Sequence, residues 1–293
     1  MSALPFTALA CPLDGAPLQR QAVSLRCPEG HCFDLAAQGY VNLLPVQNKR
    51  SRDPGDSKEM VAARRRFLEA GHYKPIAEAV AQAVLAGAVP GRMLTCLDAG
   101  CGEAYYLRQL AAAAAEARPL ALAGLDISKW AVQAAAKRDL QDARSQTGTA
   151  PSTTWIVGSN AGLPVLPGTL DRVLCMFGFP VYPEFARVLR RGGELLQVDA
   201  GPDHLRELRE VIYPTLKPER PASRSAPPGF ELLGTDTLRF QIHVDGAAAI
   251  ADLLAMTPHL YRATAEGRAR AAALTALTMT VDVRLARYRR LTD

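Results

Sequence analysis

After residue 92, some segments have the apolar pattern of strands and others that of helices. Together these two patterns predict a layered α/β domain. Short apolar runs that end in turns, such as RMLTCLDAG and LALAGLD, have the length of buried strands. Between and after them lie EAYYLRQLAAAAAEA and SKWAVQAAAKR, which have the spacing of helices. Three further strand candidates are TTWIVG, LDRVLCMFG and GELLQVDAG. Strands that alternate with helices predict βαβ units around a mostly parallel sheet.

The chain on either side of this pattern has a different character. Residues before 46 are turn-rich, and residues 46–58 are a charged linker with a Pro-Gly turn. A helical pattern over 59–87 is interrupted at AGHYKP, and the tail has strand-like runs around a helix at 246–254. We therefore expect a small domain, a basic linker with helices, and a main domain, over residues 1–45, 46–88 and 89–293.

Composition and charge narrow the class of protein without identifying it. The chain has 293 residues, of which 48% are hydrophobic and 22% charged, the balance of a globular protein. No apolar run approaches the roughly 18 residues of a membrane span, and the N-terminus lacks the basic region of a secretory signal. We therefore expect a cytoplasmic protein with no membrane partner. The net charge of +5 is compatible with an anionic partner.

The segment LDAGCGEAYY carries the strongest signal for a bound cofactor. A predicted strand ends at Asp98, Gly100 and Gly102 follow, and a helix then begins. Glycine at these positions lets the backbone pass close to a ligand. A dinucleotide-binding loop would have its third glycine at the position of Tyr105, and Asp98 would repel a phosphate. The loop therefore favours a cofactor without phosphates. If that cofactor contains a methionine moiety, Asp98 could bind its ammonium group directly or through water.

A second acid makes this interpretation more specific. The second predicted strand ends in GLDIS, where Asp126 is positioned to accept hydrogen bonds from ribose hydroxyls. The glycine loop, the two acids and the strand pattern resemble the class I methyltransferases that use S-adenosylmethionine (SAM). That resemblance implies a Rossmann-like α/β fold with a mostly parallel, seven-stranded sheet. The alternative is a glycine turn in another α/β protein, with an ordinary acid at position 126.

Residues 39–75, GYVNLLPVQNKRSRDPGDSKEMVAARRRFLEAGHYKP, give a more specific resemblance. They are similar to the junction between the zinc domain and the catalytic domain of the RlmA family, the 23S ribosomal RNA (guanine-N1)-methyltransferases. The segment GPDHLRELREVIY is also similar to that family. The resemblance implies methyl transfer from SAM to N1 of a guanine in a hairpin of large-subunit ribosomal RNA, by a homodimer. It implies SAM contacts from Tyr73, Tyr106, Leu107 and His204.

Several of these residues also have ordinary structural explanations. The family commonly has a glycine after the loop glutamate, whereas Glu103 is followed here by Ala104, which is small enough for SAM binding to survive. Tyr73 and Tyr106 would serve equally well as core aromatics, and His204 as a polar residue near a helix start. A basic run either covers a solvated face or contacts RNA phosphates; its members are Lys49, Arg50, Arg52, Arg64, Arg65 and Arg66. Asp53 and Asp56 would form a turn that pairs with these arginines.

The N-terminal cysteines suggest a zinc site with one unusual ligand. Cys11, Cys27 and His31 match the spacing of the family's zinc module, but Asp14 stands where its second cysteine would be. A structural zinc site needs four ligands, and a carboxylate is an accepted one. We expect Asp14 to complete the site, because fewer than about 40 residues seldom fold without a bound metal or a cross-link. The alternatives are that Cys32 substitutes or that the metal is lost.

The chemistry adds one prediction about the target base. A paired guanine must leave its stack before N1 can be methylated, and N1 must lose its proton to a carboxylate or to ordered water. The segment MFGFP follows the fourth strand of the main domain, so Phe177 and Phe179 are candidates to stack on the flipped base. Ordinary core packing is the alternative for both. Two other functions stay open, a methyltransferase of a small metabolite and a non-catalytic protein that binds SAM and RNA.

Overall fold

A computed structural model describes residues 6–48, 51, 53–89, 91–114, 119–145, 153–216 and 225–291. The strands, β1 to β11 in chain order, are Gln19–Gln21, Ser24–Arg26, Cys32–Asp34, Tyr40–Asn42, Leu94–Ala99, Leu120–Asp126, Thr153–Val157, Leu170–Met176, Leu189–Ala200, Phe230–Asp245 and Ala276–Arg290. The helices, α1 to α9, are Lys58–Glu69, Lys74–Leu85, Tyr105–Ala113, Lys129–Ser145, Tyr182–Val188, Arg206–Ile212, Ala247–Ala255, His259–Arg262 and Ala265–Ala272.

The main sheet has eight strands in the order β10-β11-β9-β8-β5-β6-β7-β4. Neighbouring strands from β4 to β9 run parallel, and β11 is antiparallel to both of its neighbours. The prediction of a mostly parallel sheet is therefore confirmed. Seven of the strands come from the predicted main domain. The eighth, β4, comes from the N-terminal region and pairs with β7 at the edge, with Tyr40 opposite Trp155.

The central strands are buried on both faces, as their uninterrupted apolar runs predict. Every residue of β8 is buried, and only the last residue of β6 is partly exposed. Leu97, Leu122 and Leu174 are completely inaccessible to solvent. Helices cover the two faces of the sheet, and the carboxyl ends of the parallel strands share one edge. Loops that carry candidate functional residues are gathered at that edge.

The N-terminal region is a small three-stranded antiparallel sheet, β1-β2-β3, fixed to the main domain. The backbone N–H of Ala10 donates to the carbonyl of Pro164 at 3.0 Å, and Leu9 forms a bridge with Val165. The side chain of Leu9 is buried in the same apolar cluster as Val165. The small sheet therefore contributes to the core of the whole molecule, and the predicted domain limits stay a prediction.

Two helices, α1 and α2, connect the edge strand β4 to the central strand β5 of the main sheet. The side chain of Ser57 accepts from the backbone N–H of Met60 at 3.3 Å and so caps α1. Gly71, with φ +85°, lies between α1 and α2, which confirms the predicted interruption at AGHYKP. None of the helices in the described part of the chain combines the length and the apolarity needed to cross a bilayer.

Candidate active site

The loop between β5 and α3 makes an open cradle. Gly100 and Gly102 have φ angles of +103° and +55°, which glycine adopts at low cost. The backbone N–H groups of Gly100 and Cys101 donate to the carbonyl of Leu125 at 2.8 and 2.9 Å, which ties the loop to β6. A Cβ atom added at Gly100 would meet no atom within 4 Å. The sequence prediction that these glycines leave room for a ligand is consistent with this geometry.

Ala104 continues this loop in a conformation that alanine rarely adopts. It has φ +74°, and it is fully buried at the N-terminus of α3. A left-handed backbone costs a non-glycine residue roughly 1 kcal/mol. The family glycine at this position is therefore explained by backbone geometry rather than by space alone. The loop keeps its left-handed turn in spite of the substitution.

Asp98 is the most unusual charged group of the loop. Its side chain is fully buried, and neither carboxylate oxygen has a hydrogen-bond partner among the described residues. Burial and, to a smaller extent, the nearby charge of Asp126 raise the pKa of Asp98 to about 8. A buried carboxylate without a partner is costly unless a cation or donor reaches it. The ammonium group of a methionine moiety has the charge and the donors that Asp98 lacks, so the residue fits SAM.

Asp126 lies at the end of β6 and faces the same loop. Its Oδ2 atom accepts from the backbone N–H of Gly102 at 2.9 Å, and Oδ1 accepts from that of Ser128 at 2.8 Å. Burial raises the pKa of Asp126, while these two hydrogen bonds lower it. Each oxygen retains a lone pair for a further donor. The structure thus brings together the two acids and two glycines that the sequence singled out.

The rings of Tyr73, Phe177 and His204 form an aromatic cluster. The centroids of Tyr73 and His204 are 5.9 Å apart, and Phe177 lies 6.1 and 5.7 Å from them. Burial lowers the pKa of His204 to about 4, so its ring is neutral near pH 7. Nδ1 of His204 accepts from the backbone N–H of Asp282 at 3.4 Å. The ring proton is therefore on Nε2 and is donated to the Tyr73 hydroxyl at 3.0 Å.

This arrangement leaves the Tyr73 hydroxyl hydrogen for another acceptor. Tyr73 is buried at the start of α2, and His204 lies between β9 and α6, although 131 residues separate them in sequence. The fold thus brings two of the predicted SAM contacts into direct hydrogen-bonding distance. The other two, Tyr106 and Leu107, are buried in the first turn of α3, immediately after the glycine loop.

The segment after β8 presents its two phenylalanines differently. Phe177, with φ +51°, packs against Tyr73 and His204 and is 38% exposed. Phe179 is 89% exposed. Asn160 donates to the backbone carbonyls of Ala99 at 3.3 Å and Phe179 at 3.4 Å, which ties this segment to β5. Only Phe179 therefore presents most of its ring to an incoming base.

The N-terminal sheet holds the four predicted metal ligands close together. One ligating atom from each of Cys11, Asp14, Cys27 and His31 lies within 4.8 Å of the others. Oδ2 of Asp14 is 2.9 Å from Nδ1 of His31 and 3.2 Å from Sγ of Cys27. Hydrogen bonds, of which the one from the backbone N–H of Ala16 contributes most, lower the pKa of Asp14 to about 2, so the carboxylate is ionised. Two thiols, one imidazole and one carboxylate are a donor set that fits Zn²⁺.

Cys32 does not belong to this group. Its side chain is exposed at the start of β3, and it lies outside the set of four mutually close ligand atoms. This is what its position next to His31 suggests, because the side chains of adjacent residues rarely both face one ion. The geometry therefore favours Asp14 over Cys32 as the fourth ligand.

The basic run near the linker is less uniform than its sequence suggests. Arg64 forms an ion pair with Asp56, as the turn around Asp53 and Asp56 predicts, and Arg66 forms one with Asp252 at 2.6 Å. Arg65 is exposed. The other predicted members of this run, Lys49, Arg50 and Arg52, lie outside the described residues.

The contact of Arg64 with the cofactor loop is the feature that sequence analysis missed. A Cβ atom built on Gly102 would lie 3.5 Å from Nη1 of Arg64. The sequence signal for it was that residues 39–75 resemble the family-specific segment between the zinc domain and the catalytic domain. A run of arginines does not by itself tell which member turns inward.

Comparisons with known proteins agree with this geometry. Residues 9–52 match the family model described as RlmA, N-terminal, and residues 96–199 match one described as a methyltransferase domain. The 23S rRNA (guanine(748)-N(1))-methyltransferase of Streptomyces fradiae is 35% identical, over 85% of this chain and 84% of its own. A protein of Micromonospora griseorubida, provisionally described as a 23S rRNA (guanine-N(1)-)-methyltransferase, is 37% identical over 96% and 97%.

The likeness to solved structures is weaker. The YcgJ protein of Bacillus subtilis has a crystal structure that matches with a TM-score of 0.42 and 14% identity, over 74% of this chain and 98% of its own. The matched methyltransferase domain and the observed strand order together give the main domain a class I methyltransferase fold.

Proposed function

Because this chain belongs to the family of 23S rRNA (guanine-N1)-methyltransferases, we propose that it methylates N1 of a guanine in a hairpin of large-subunit ribosomal RNA. The observation that carries this proposal is the 35% identity to the Streptomyces fradiae enzyme over 85% of this chain. The matches of residues 9–52 to the RlmA N-terminal model and of residues 96–199 to a methyltransferase domain support it. The buried, partnerless carboxylate of Asp98 supports the use of SAM by this chain.

The cofactor would be held at the carboxyl edge of the sheet. SAM, when bound, supplies the methyl group. Asp98 would bind the methionine ammonium, and Asp126 would accept hydrogen bonds from the ribose. The rings of Tyr73 and His204 would form the opposite wall, and the Tyr73 hydroxyl would donate to the ligand. The full proposed set of cofactor-binding residues is Tyr73, Asp98, Gly100, Gly102, Tyr106, Leu107, Asp126 and His204.

The target guanine would approach the segment after β8. N1 lies on the Watson–Crick edge, so the base must leave its stack before it reacts. Phe179 would stack on the flipped base, because its ring is almost fully exposed. Phe177 would form part of the pocket wall, because its ring already packs against Tyr73 and His204. The proton of N1 would leave to a carboxylate or to ordered water as the bond to the methyl carbon forms.

The N-terminal module would be a zinc-stabilised RNA-recognition element. Cys11, Asp14, Cys27 and His31 would hold the ion. The metal would stabilise a sheet whose strands are only three residues each.

We also propose that the protein acts in the cytoplasm, where the ribosome is assembled, and as a homodimer. Light scattering of the purified protein would test the dimer, because it separates one chain of 31.5 kDa from two.

Tritium transfer tests the proposed reaction directly. Purified protein is incubated with labelled SAM and large-subunit RNA from cells that lack it, and the nucleosides are then separated by mass spectrometry. Label in N1-methylguanosine is the expected result. SAM binding without label in naked RNA or in assembly intermediates would contradict the ribosomal assignment. Turnover of a small metabolite would then identify a metabolite methyltransferase, and binding of SAM and RNA without turnover would identify a non-catalytic protein.

A variant of Phe179 tests the proposed target pocket. Phe179→Ala should lower kcat/KM for RNA by about tenfold, since base stacking contributes about 1–3 kcal/mol, and it should leave the affinity for S-adenosylhomocysteine unchanged. Leu291→Ala is the matched control, because Leu291 is an exposed apolar side chain immediately after β11. An unchanged rate for Phe179→Ala would remove this residue from the proposal.

A further inference from the structure

Arg64 reaches from α1 to the cofactor loop. Its guanidinium forms an ion pair with Asp56 and donates from Nη2 to the carbonyl of Met256 at 3.0 Å. A Cβ atom built on Gly102 would lie 3.5 Å from Nη1 and 3.8 Å from Cδ of Arg64. The side chain is 24% exposed, so part of it remains accessible next to the loop. This arginine is therefore a wall of the cradle rather than a member of a solvated face.

The linker fixes this position from the other side. The hydroxyl of Ser128 donates to the backbone carbonyl of Asp56 at 2.6 Å. Gly55, with φ +85°, lies so close to Ile127 and Ser128 that an added Cβ would be 2.9 Å from each of them. The turn around Asp56 is thus anchored to the residues that follow Asp126. Because Asp56 is held, the guanidinium that it binds is held as well.

The charges around the loop determine what Arg64 can bind. Asp98 and Asp126 are acidic, and they suit the cationic and hydroxyl groups of SAM. The carboxylate of its methionine moiety needs a cation instead. Arg108 is engaged, because it forms an ion pair with Glu103 and donates to the Glu103 carbonyl at 2.7 Å. The contacts of Arg64 with described residues use only part of its planar set of N–H donors.

We propose that Arg64 binds the α-carboxylate of the methionine moiety of SAM and that Asp56 positions its guanidinium. This inference rests on the proposed use of SAM, and it adds a residue that discriminates between cofactor-like ligands. SAM and S-adenosylhomocysteine carry the carboxylate, whereas 5′-methylthioadenosine carries the same nucleoside and sulfur without the amino acid. Arg64 should therefore contribute to the binding of the first two ligands and not to the third.

Calorimetric titration of the full-length protein tests this without any RNA. Arg64→Gln should weaken S-adenosylhomocysteine by about tenfold to a hundredfold, the range expected for a lost charge-assisted hydrogen bond. Its affinity for 5′-methylthioadenosine should not change. Arg65→Gln is the matched control, because Arg65 is the exposed neighbour on the same helix, and it should leave both affinities unchanged. Equal losses for the two ligands, or no loss for either, would overturn the proposal.

Two further variants keep the test decisive if Arg64→Gln does not fold. Arg64→Lys keeps the charge but loses the planar fork, so it should weaken S-adenosylhomocysteine selectively and by a smaller factor. Asp56→Asn should have the same selectivity, because it releases the guanidinium without removing it. If the wild-type protein binds no S-adenosylhomocysteine, the proposed function fails together with this inference. If it binds and neither variant is selective, only the assignment of Arg64 fails.

Discussion

Replacing Asp98 by asparagine separates the cost of burying this carboxyl group from its use in cofactor binding. Asp98 is fully buried, its oxygens have no partner among the described residues, and its pKa is about 8 rather than 3.8. Asparagine has nearly the same shape and never ionises. The substitution therefore removes one titration from the folded protein and leaves the packing around β5 almost unchanged.

The sign of the effect follows from the raised pKa. Between pH 3.8 and about 8 the folded protein keeps a proton on Asp98 that the unfolded chain has lost. The free energy of unfolding therefore falls as the pH rises through this window, by about 1.4 kcal/mol for each pH unit. From pH 5 to pH 8 the wild-type protein without cofactor should lose at most about 4 kcal/mol relative to Asp98→Asn.

Urea denaturation of both proteins from pH 5 to pH 8, without cofactor, measures this difference. The asparagine variant should become progressively more stable than the wild type as the pH rises. Other buried acids such as Asp126 are present in both proteins, so their contributions cancel in the comparison. The same variant should bind S-adenosylhomocysteine at least about tenfold more weakly, because the ammonium loses its ionic partner. Parallel pH profiles for the two proteins would refute the reasoning about Asp98.

Two further substitutions test packing and metal binding. Gly124→Ala should lower the free energy of unfolding by about 1–3 kcal/mol, because its Cβ would overlap the ring of Trp155. Gly162→Ala, where an added Cβ meets nothing within 4 Å, should have little effect in the same denaturation assay. Asp14→Cys should make zinc retention against a chelator at least about tenfold stronger, since thiolate is a softer ligand than carboxylate. Equal zinc retention in both proteins would argue against Asp14 as a ligand.

The parts of the fold that sequence predicted correctly are those with a strong local pattern. The apolar runs of β5, β6 and β8 are long and continuous, so their burial follows from sequence. Asp98 and Gly100 could be singled out because their chemistry and spacing are unusual at a strand end. The pairing of β4 with β7 could not, because a strand of three residues has no measurable periodicity.

The parts of the candidate site that sequence missed depend on contacts between distant residues. Arg64 donates to the carbonyl of Met256, which is 192 residues away, and it also lies against Gly102. The hydrogen bond between Tyr73 and His204 likewise joins two residues that are 131 positions apart in the chain. The left-handed backbone of Ala104 could not be predicted from sequence for a different reason. Alanine favours an ordinary right-handed helix, so its presence gives no sign of a left-handed conformation.

The most direct test of the central claim is a map of N1-methylguanosine in 23S ribosomal RNA from cells with and without this gene. Methylation of N1 blocks Watson–Crick pairing, so reverse transcriptase should stop beside one guanine of a hairpin in wild-type RNA. The stop should vanish in the deletion strain, return with the wild-type gene, and be much weaker with Asp98→Asn. An identical pattern of stops in the wild-type and deletion strains would contradict the account.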